Sequence, residues 1–235
     1  MKELLYSTAQ EIGIKLNDIQ LEQFQIYYKM LIDTNKVMNL TSIIAKEDVV
    51  YKHFIDSIVL KNYVDISNSK VIDIGTGAGF PGIPLAIIYS STNFTLMDSL
   101  NKRIQFLNKV VKECNLDNVE TVHSRAEDLG HNEAYREQYN YCVSRAVANM
   151  SVLLEYCIPF VKKGGKFISY KSGKADNEIA QSANAQKKLS CAYSTEYSFY
   201  IPNTDIARKF VIFNKTGYLS SIYPRQAGKP KKNPL

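Results

Sequence analysis

Apolar and polar positions alternate with helical spacing in the first 65 residues of the chain. Apolar side chains recur there every three or four positions, as in Leu21, Phe24, Tyr28 and Leu31, and again in Val50, Phe54 and Ile58. This spacing places them on one face of a helix. The pattern therefore predicts an N-terminal helical extension over residues 1–65.

From Lys70 onward, short apolar runs alternate with helical patterns. The predicted strands are "KVIDIG", "FTLMD", "VETVHS", "YNYCVSRA" and "GKFISYK", and the helices between them are "GIPLAIIY", "NKRIQFLNKVVKECN" and "SVLLEYCIPFVKK". Such alternation is typical of βαβ units, so we expect a doubly wound parallel sheet in an α/β domain over residues 66–235. After a polar-faced helix in "ADNEIAQSANAQKKLS", the runs "AYSTEYSFYI" and "RKFVIFNK" predict an antiparallel hairpin at the sheet edge.

The segment between the first predicted strand and helix, "VIDIGTGAGFPGIPLAI", contains four glycines and two prolines. In an open parallel sheet this turn is the usual ligand cradle. Gly77, Gly79 and Gly82 match the dinucleotide pattern G-x-G-x-x-G, whereas Asp73, Gly75, Gly77 and Gly79 match the D-x-G-x-G-x-G loop of S-adenosylmethionine methyltransferases. A plain glycine turn without a ligand is the structural alternative.

Charge and hydrogen-bond donors favour S-adenosylmethionine over a dinucleotide. Pro81 and Pro84 remove N–H donors from the turn, and the carboxylate of Asp73 disfavours a phosphate there. S-adenosylmethionine carries an ammonium and a sulfonium, which we expect Asp73 to stabilise while the loop from Gly75 to Phe80 approaches the ligand. Asp98 ends the second predicted strand, 23 positions after Gly75, where an acid binds ribose hydroxyls in both ligand classes.

Two further segments follow predicted strands. In "SRAEDL", Ala126 and Glu127 are expected beside an adenine, although Glu127 is equally consistent with a solvated helix cap. In "SRA", residues 144–146, Arg145 is placed where a substrate would meet the transferable methyl group, with a surface salt bridge as the alternative.

Other sequence features exclude several classes of protein. No apolar run reaches the ~18 residues of a membrane span, and the N-terminus has no signal-peptide pattern, so we expect a soluble cytoplasmic protein. No spacing of cysteines or histidines indicates a metal site or a disulfide framework. We expect buried free thiols at Cys114, Cys142, Cys157 and Cys191. We expect ordinary packing or surface histidines at His53, His123 and His131.

The net charge of +6 lies in the C-terminal segment. Residues 208–235 contain seven basic residues and no acidic one. Interspersed glycine and prolines predict an extended segment, and its cations Arg225, Lys229, Lys231 and Lys232 favour binding to the phosphates of a polyanion. A solubility tail, or a strap packed on the core, is the alternative.

The chain closely resembles the RsmG family, also called GidB, of bacterial small-subunit ribosomal RNA methyltransferases. The resemblance runs from about Asn35 to the last residue and rests on "IDIGTGAGFPGIPLAI", "DSLNKRIQFL", "SRAED", "SRAVANMSVLLEYCIPFVKKGGKFISYK" and "PRQAGKPKKNPL". It implies a Rossmann-like class I S-adenosylmethionine-dependent methyltransferase fold with an N-terminal helical extension, and transfer to N7 of guanine 527 in 16S RNA. It also implies cofactor contacts at Gly75, Phe80, Ala126, Glu127 and Arg145, with core packing as the alternative for Phe80.

Guanine N7 carries a free lone pair, so its methylation needs no general base, and positioning should dominate catalysis. We expect Arg145 and Lys171 to position the substrate. The expected partner is 16S RNA in the small ribosomal subunit, with no membrane contact, and the protein is expected to act as a monomer. A methyltransferase of small metabolites and a noncatalytic RNA-binding protein are the two alternatives.

Overall fold

A seven-stranded sheet forms the centre of the protein. The computed structural model describes residues 1–145, 148–173 and 176–235. The strands are β1 (Lys70–Ile74), β2 (Asn93–Asp98), β3 (Val119–His123), β4 (Tyr139–Arg145), β5 (Val161–Ser172), β6 (Cys191–Tyr200) and β7 (Ala207–Lys215). Their order in the sheet is β3-β2-β1-β4-β5-β7-β6.

The predicted parallel sheet is confirmed for the first five strands, which all pair in parallel. The predicted hairpin is also confirmed, because β6 and β7 pair antiparallel with Tyr200 opposite Ala207. The second hairpin strand, β7, lies beside β5, which leaves β6 at the edge. Strand order reverses between β1 and β4, so the carboxyl ends of these two strands flank the expected ligand crevice.

Short helices connect the strands and precede them. The α-helices are α1 (Lys2–Glu11), α2 (Asp18–Met38), α3 (Lys46–Val49), α4 (Asp56–Ile58), α5 (Gly82–Ile88), α6 (Asn101–Glu113), α7 (Ala126–Leu129), α8 (Met150–Cys157), α9 (Asp176–Gln181), α10 (Ala183–Lys188) and α11 (Lys229–Lys232). A π-helical turn, Val50–Ile55, joins α3 to α4, and 3-10 turns span Val59–Asn62 and Ile158–Phe160.

Two predicted helices differ from the structure. The helix expected through Lys163 ends at Cys157, because Pro159 cannot continue the α-helical hydrogen bonds, and β5 already begins at Val161. The helix expected over residues 175–190 is divided into α9 and α10 at the buried Ser182, and Ala175 lies outside the described residues.

The N-terminal helices pack against one face of the sheet. Phe24, Tyr27 and Leu31 of α2 are fully buried in the same hydrophobic cluster as Phe80 and the side chains of α5 and α6. The Tyr27 hydroxyl donates a hydrogen bond to the carbonyl oxygen of Ala78 at 2.6 Å. The helical extension therefore supports the glycine-rich loop from behind.

No helix within the described ranges has both the length and the apolar character needed to cross a bilayer. The four cysteines are free and buried, as expected from the sequence. Among the described residues, no group of three histidine, cysteine, aspartate or glutamate side chains is arranged to hold a metal ion.

Candidate functional site

A cavity of about 560 Å³ lies at the carboxyl ends of β1, β2, β3 and β4. Five of the cofactor-binding residues predicted from the sequence line it: Gly75, Asp98, Ala126, Glu127 and Arg145. Each follows or ends a different strand, except for the adjacent pair after β3. The parallel topology thus brings these distant segments of the chain together, and the volume is in the range of small-molecule and cofactor sites.

Asp98 connects the glycine-rich loop to the next helix. One carboxylate oxygen, Oδ2, accepts a hydrogen bond from the backbone N–H of Gly77 at 2.9 Å and lies 3.2 Å from Arg103 Nη1. The other, Oδ1, accepts from the N–H of Leu100 at 2.9 Å. Gly75 and Gly77 adopt φ values of +70° and +63°, which side chains disfavour. Asp98 therefore holds the loop in a conformation that glycine adopts readily, while its carboxylate lines the cavity.

Asp73 lies beneath the loop and does not line the cavity. Its side chain is fully buried, and Oδ2 accepts hydrogen bonds from Thr76 Oγ1 at 2.7 Å and from the N–H of Gly82 at 2.9 Å. Burial raises the pKa of Asp73 to about 7. A Cβ atom at Gly82 would stand 2.8 Å from Oδ2. The Asp73 carboxylate thus lies under the turn and shapes it, and its expected interaction with the charged groups of a cofactor stays a prediction.

Gly79 and Phe80 also face the core. A Cβ atom at Gly79 would lie 2.8 Å from the hydroxyl of Tyr27. The ring of Phe80 stacks on His53 with centroids 4.2 Å apart, and the Arg145 guanidinium carbon lies 5.1 Å from the centre of the Phe80 ring. Phe80 thus packs in the core, which was the alternative considered for it, and its ring contacts the Arg145 guanidinium. A cofactor contact at Phe80 stays a prediction.

Arg145 has both of the environments considered for it. It lines the cavity, and its Nη1 forms an ion pair with the buried carboxylate of Asp56 at 2.9 Å. Nη1 also donates to the carbonyl oxygen of Lys52, and Nη2 lies 3.2 Å from Nδ1 of His53. The predicted salt bridge is therefore buried, and it fixes the guanidinium at the cavity wall. Ala146, the last residue of the "SRA" motif, lies outside the described residues.

Lys171 does not line this cavity. Its ammonium donates to the carbonyl oxygen of Ala148 at 2.8 Å and to Glu178 at 2.7 Å. Lys171 instead lines a neighbouring cleft, and Arg145 lines that cleft as well as the cavity. Their expected role in positioning a substrate stays a prediction.

His53 is a packing histidine with a strongly altered pKa. Burial, reinforced by the positive charge of Arg145, lowers its pKa to about 3. Since Arg145 donates to Nδ1, the neutral ring carries its proton on Nε2, which lies 2.9 Å from Thr41 Oγ1. The ring is therefore neutral at physiological pH.

We expect the stability of the protein to fall as pH drops below 6.5, because the unfolded chain then binds a proton that native His53 excludes. His53→Gln keeps a polar side chain but removes this titration. The wild-type advantage in unfolding free energy over the variant should shrink by about 2 kcal/mol between pH 7.5 and pH 5. Urea unfolding at both pH values measures it. A wild-type advantage that is the same at both pH values would contradict the assignment.

The C-terminal residues 223–235 form a strap over the cavity, which we call the terminal strap. Arg225 binds Glu155, a fully buried residue of α8, through Nε at 2.8 Å, Nη2 at 2.6 Å and its backbone N–H at 2.9 Å. The N–H of Gly228 donates to Glu127 Oε1 at 3.0 Å. The expectation of an extended segment is therefore wrong, because Lys229–Lys232 form α11. The segment is packed as a strap, which was the alternative, because the buried Glu155 holds Arg225.

The predicted phosphate-binding residues consequently divide into two groups. Arg225 is occupied by Glu155 and serves as the anchor of the terminal strap. Lys229, Lys231 and Lys232 are exposed on α11, and Lys231 also lines the cavity. Glu127 accepts the hydrogen bond from the N–H of Gly228, so it is a partner of the terminal strap as well as a lining residue of the cavity.

Eight further lining residues were not predicted from the sequence, namely Ile74, Met97, Ser99, Arg103, Ser124, Arg125, Tyr156 and Gly228. Lys231 was predicted, but as a phosphate contact. Arg103 stands five positions after Asp98 within "DSLNKR", so the strand–helix spacing alone could have indicated it. Tyr156 lies near the end of the apolar helix α8, where no local pattern separates it from a core residue.

Comparison with known proteins places this arrangement among methyltransferases. The family model described as rRNA small subunit methyltransferase G matches residues 20–202. Proteins named ribosomal RNA small subunit methyltransferase G are similar over nearly the full length. The one from Lachnoclostridium phytofermentans is 46% identical, covering 95% of this chain and 93% of the relative. The one from Staphylococcus epidermidis is 45% identical, covering 99% and 98%.

Solved structures show the same fold at low identity. A SAM-dependent methyltransferase from Aquifex aeolicus superposes with a TM-score of 0.54 at 14% identity, over 72% of this chain and 93% of that chain. Aeropyrum pernix fibrillarin with natively bound S-adenosyl-L-methionine gives 0.54 at 9% identity, over 69% and 75%. The predicted Rossmann-like class I fold is therefore confirmed, and the full-length similarity shows that the chain belongs to the rRNA small subunit methyltransferase G family.

Proposed function

We propose that this protein transfers a methyl group to N7 of one guanine, guanine 527, in the 16S RNA of the small ribosomal subunit, acting as a monomer in the cytoplasm. Its membership of an rRNA small-subunit methyltransferase family supports the reaction class. The observation that carries the proposal is the cavity at the carboxyl ends of the strands, where Asp98 and Glu127 present two carboxylates from adjacent strands.

The methyl donor is S-adenosylmethionine, as the sequence predicted, and the cavity suits it. The Asp98 carboxylate can accept hydrogen bonds from ribose hydroxyls, and the Glu127 carboxylate can accept from an adenine amino group. Ile74 and Met97 supply apolar surface for the base. When bound, this cofactor supplies an electrophilic methyl group on a sulfonium. We assign direct cofactor contacts to the five predicted lining residues, Gly75, Asp98, Ala126, Glu127 and Arg145. We infer that Asp73, Gly77, Gly79 and Phe80 hold the loop in place.

The proposed chemistry requires no catalytic base. The N7 lone pair of guanine forms the new bond to the methyl carbon while the carbon–sulfur bond breaks, and that electron pair stays on sulfur. No proton moves in this step. The contribution of the protein is to align the two reactants and to exclude other geometries. Arg145, fixed by Asp56, stands at the cavity wall where an acceptor would approach.

Exposed cations beside the cavity favour RNA over a small metabolite. The terminal strap presents Lys229, Lys231 and Lys232 to solvent, and no acidic residue follows position 207. Phosphate contacts of this kind give affinity and register, whereas base contacts select the target.

Replacing both Lys229 and Lys232 by glutamine should weaken binding to the small subunit and reduce its salt dependence. Two lost phosphate contacts correspond to a slope smaller by roughly 1.4 to 1.8 logarithmic units per decade of salt. Affinity measured across a salt series tests this expectation. Replacing both of the exposed Lys29 and Lys36 of α2 by glutamine is the matched control. An equal salt slope in the two double variants would show that the terminal strap does not contact the RNA.

The class of substrate is tested by offering labelled S-adenosylmethionine together with small subunits lacking the modification, with free 16S RNA, or with free guanosine. We expect label in a ribosomal substrate and none in guanosine. Equal labelling of guanosine would favour a small-molecule methyltransferase, and no cofactor binding in calorimetry would favour a noncatalytic RNA-binding protein.

A further inference from the structure

A second cleft of about 440 Å³ adjoins the cofactor cavity. Its lining includes Thr41, Lys52, Asp56, Arg145, Lys171 and Arg208. Arg145 is the residue that the two linings share. We propose that this second cleft holds the acceptor guanosine nucleotide, turned out of the RNA fold, and that the Asp56-centred ion pairs position it. This inference rests on the proposed function.

Position is the first argument. A methyl acceptor must reach about 3 Å from the reacting carbon, so its site must open directly onto the cofactor cavity. The second cleft meets this condition, because one guanidinium forms part of both walls. A base within a folded RNA cannot enter such a cleft unless it leaves its stack, and enzymes that modify bases pay this unstacking cost.

Charge is the second argument. Four cationic side chains line the cleft, those of Lys52, Lys171, Arg145 and Arg208, while His53 is neutral. Asp56 pairs with both guanidiniums, Asp48 pairs with Lys52 and Glu178 pairs with Lys171, so four cations face three carboxylates and an excess positive charge remains. Guanine presents the O6 carbonyl oxygen beside N7, whereas adenine and cytosine present amino groups at the equivalent edge. Cations therefore favour a base with a carbonyl there, and they also attract the flanking phosphates.

Rigidity is the third argument. The carboxylate of Asp56 is 3% exposed, with Oδ2 at 2.9 Å from Arg145 Nη1 and Oδ1 at 2.9 Å from Arg208 Nε. One buried acid thus fixes two guanidiniums from strands on opposite sides of β5. Charged groups held in advance cost little reorganisation when a ligand enters.

The backbone supports the same assignment. Lys52 and His53 lie in the π-helical turn Val50–Ile55, an arrangement that occurs frequently at functional sites. Thr41 accepts the hydrogen bond of His53 and stands in the loop after α2. The cleft is therefore built jointly by the N-terminal extension and the sheet, which gives that extension a direct part in binding the acceptor.

A bulky side chain at the cleft entrance tests the proposal. Ser42 lines the cleft and is exposed, so Ser42→Trp should fold normally. We expect kcat/KM for small subunits to fall by roughly tenfold or more, a loss of about 1.4 kcal/mol in transition-state binding, with unchanged calorimetric affinity for S-adenosylmethionine. Ile44→Trp, at a residue 57% exposed and outside the lining, is the matched control.

Removing one cation supplies a second test of the ligand's charge. Lys52→Gln should raise KM for subunits and flatten the salt dependence of kcat/KM, while Lys36→Gln should change neither.

Equal kcat/KM in Ser42→Trp and Ile44→Trp, or an equal loss of cofactor affinity and activity in Ser42→Trp, would overturn the assignment of the cleft. Wild-type protein that methylates no guanine would instead overturn the proposed function, so the two failures are distinguishable.

Discussion

Replacement of Arg225 by glutamine is expected to lower the free energy of unfolding by about 3 to 5 kcal/mol, because it leaves the buried carboxylate of Glu155 without its cation. The same change should weaken S-adenosylmethionine binding by roughly tenfold or more, since a loosened strap releases the hydrogen bond from Gly228 to Glu127. Urea unfolding and calorimetry measure the two effects.

Lys232→Gln is the matched control for this change. Lys232 lies on the same strap but is exposed, so its loss should leave both stability and cofactor affinity unchanged. If Arg225→Gln instead reduced RNA affinity alone, Arg225 would be a phosphate contact and the anchoring role of Glu155 would be wrong.

Replacement of Asp98 by alanine is expected to produce the largest loss of cofactor affinity, roughly a hundredfold, since it removes charge-assisted hydrogen bonds to the loop and an acceptor for the ligand. In the wild-type protein the Asp98 carboxylate accepts hydrogen bonds from the N–H groups of Gly77 and Leu100. Without this carboxylate, the N–H of Gly77 loses its hydrogen-bond acceptor. The fold should persist, because the sheet itself is built by other residues.

Calorimetric titration with S-adenosylmethionine, together with the thermal midpoint, tests this expectation. Asp117→Ala, at an exposed acid outside the cavity lining, controls for loss of charge. Full cofactor affinity in Asp98→Ala would place the nucleoside elsewhere. An unfolded variant would contradict the prediction that the fold persists.

The position of the site could be predicted from the sequence because parallel strands place their carboxyl ends at one edge. Gly75, Asp98 and Glu127 each follow a strand that the alternation of apolar and polar residues identifies. The loop's internal roles were not predictable in the same way. A carboxylate such as Asp73 can point toward the ligand or beneath the turn, and only the packing of Gly82 against it decides.

Contacts between distant segments account for what the sequence could not supply. Glu155 lies within an apolar helix and gives no local sign that Arg225, 70 positions later, will pair with it. Asp56 likewise gives no sign that it will join Arg145 to Arg208. The composition of the terminal strap correctly indicated a cationic surface. It could not show that Arg225, rather than one of the lysines, would form an ion pair with the buried Glu155.

The division of the chain at residues 65 and 66 stays a prediction. The N-terminal helices share one hydrophobic cluster with the sheet, and they also line the second cleft through Thr41, Lys52 and Asp56. The extension therefore contributes to packing and, under our proposal, to acceptor binding.

The most direct test of the central claim is to identify the product nucleoside. Small subunits lacking the modification are incubated with the protein and methyl-labelled S-adenosylmethionine, the 16S RNA is digested, and mass spectrometry locates the label. Our account predicts N7-methylguanosine at a single position, guanine 527. Label in a methylated adenine or cytosine, or no label in the RNA, would contradict it.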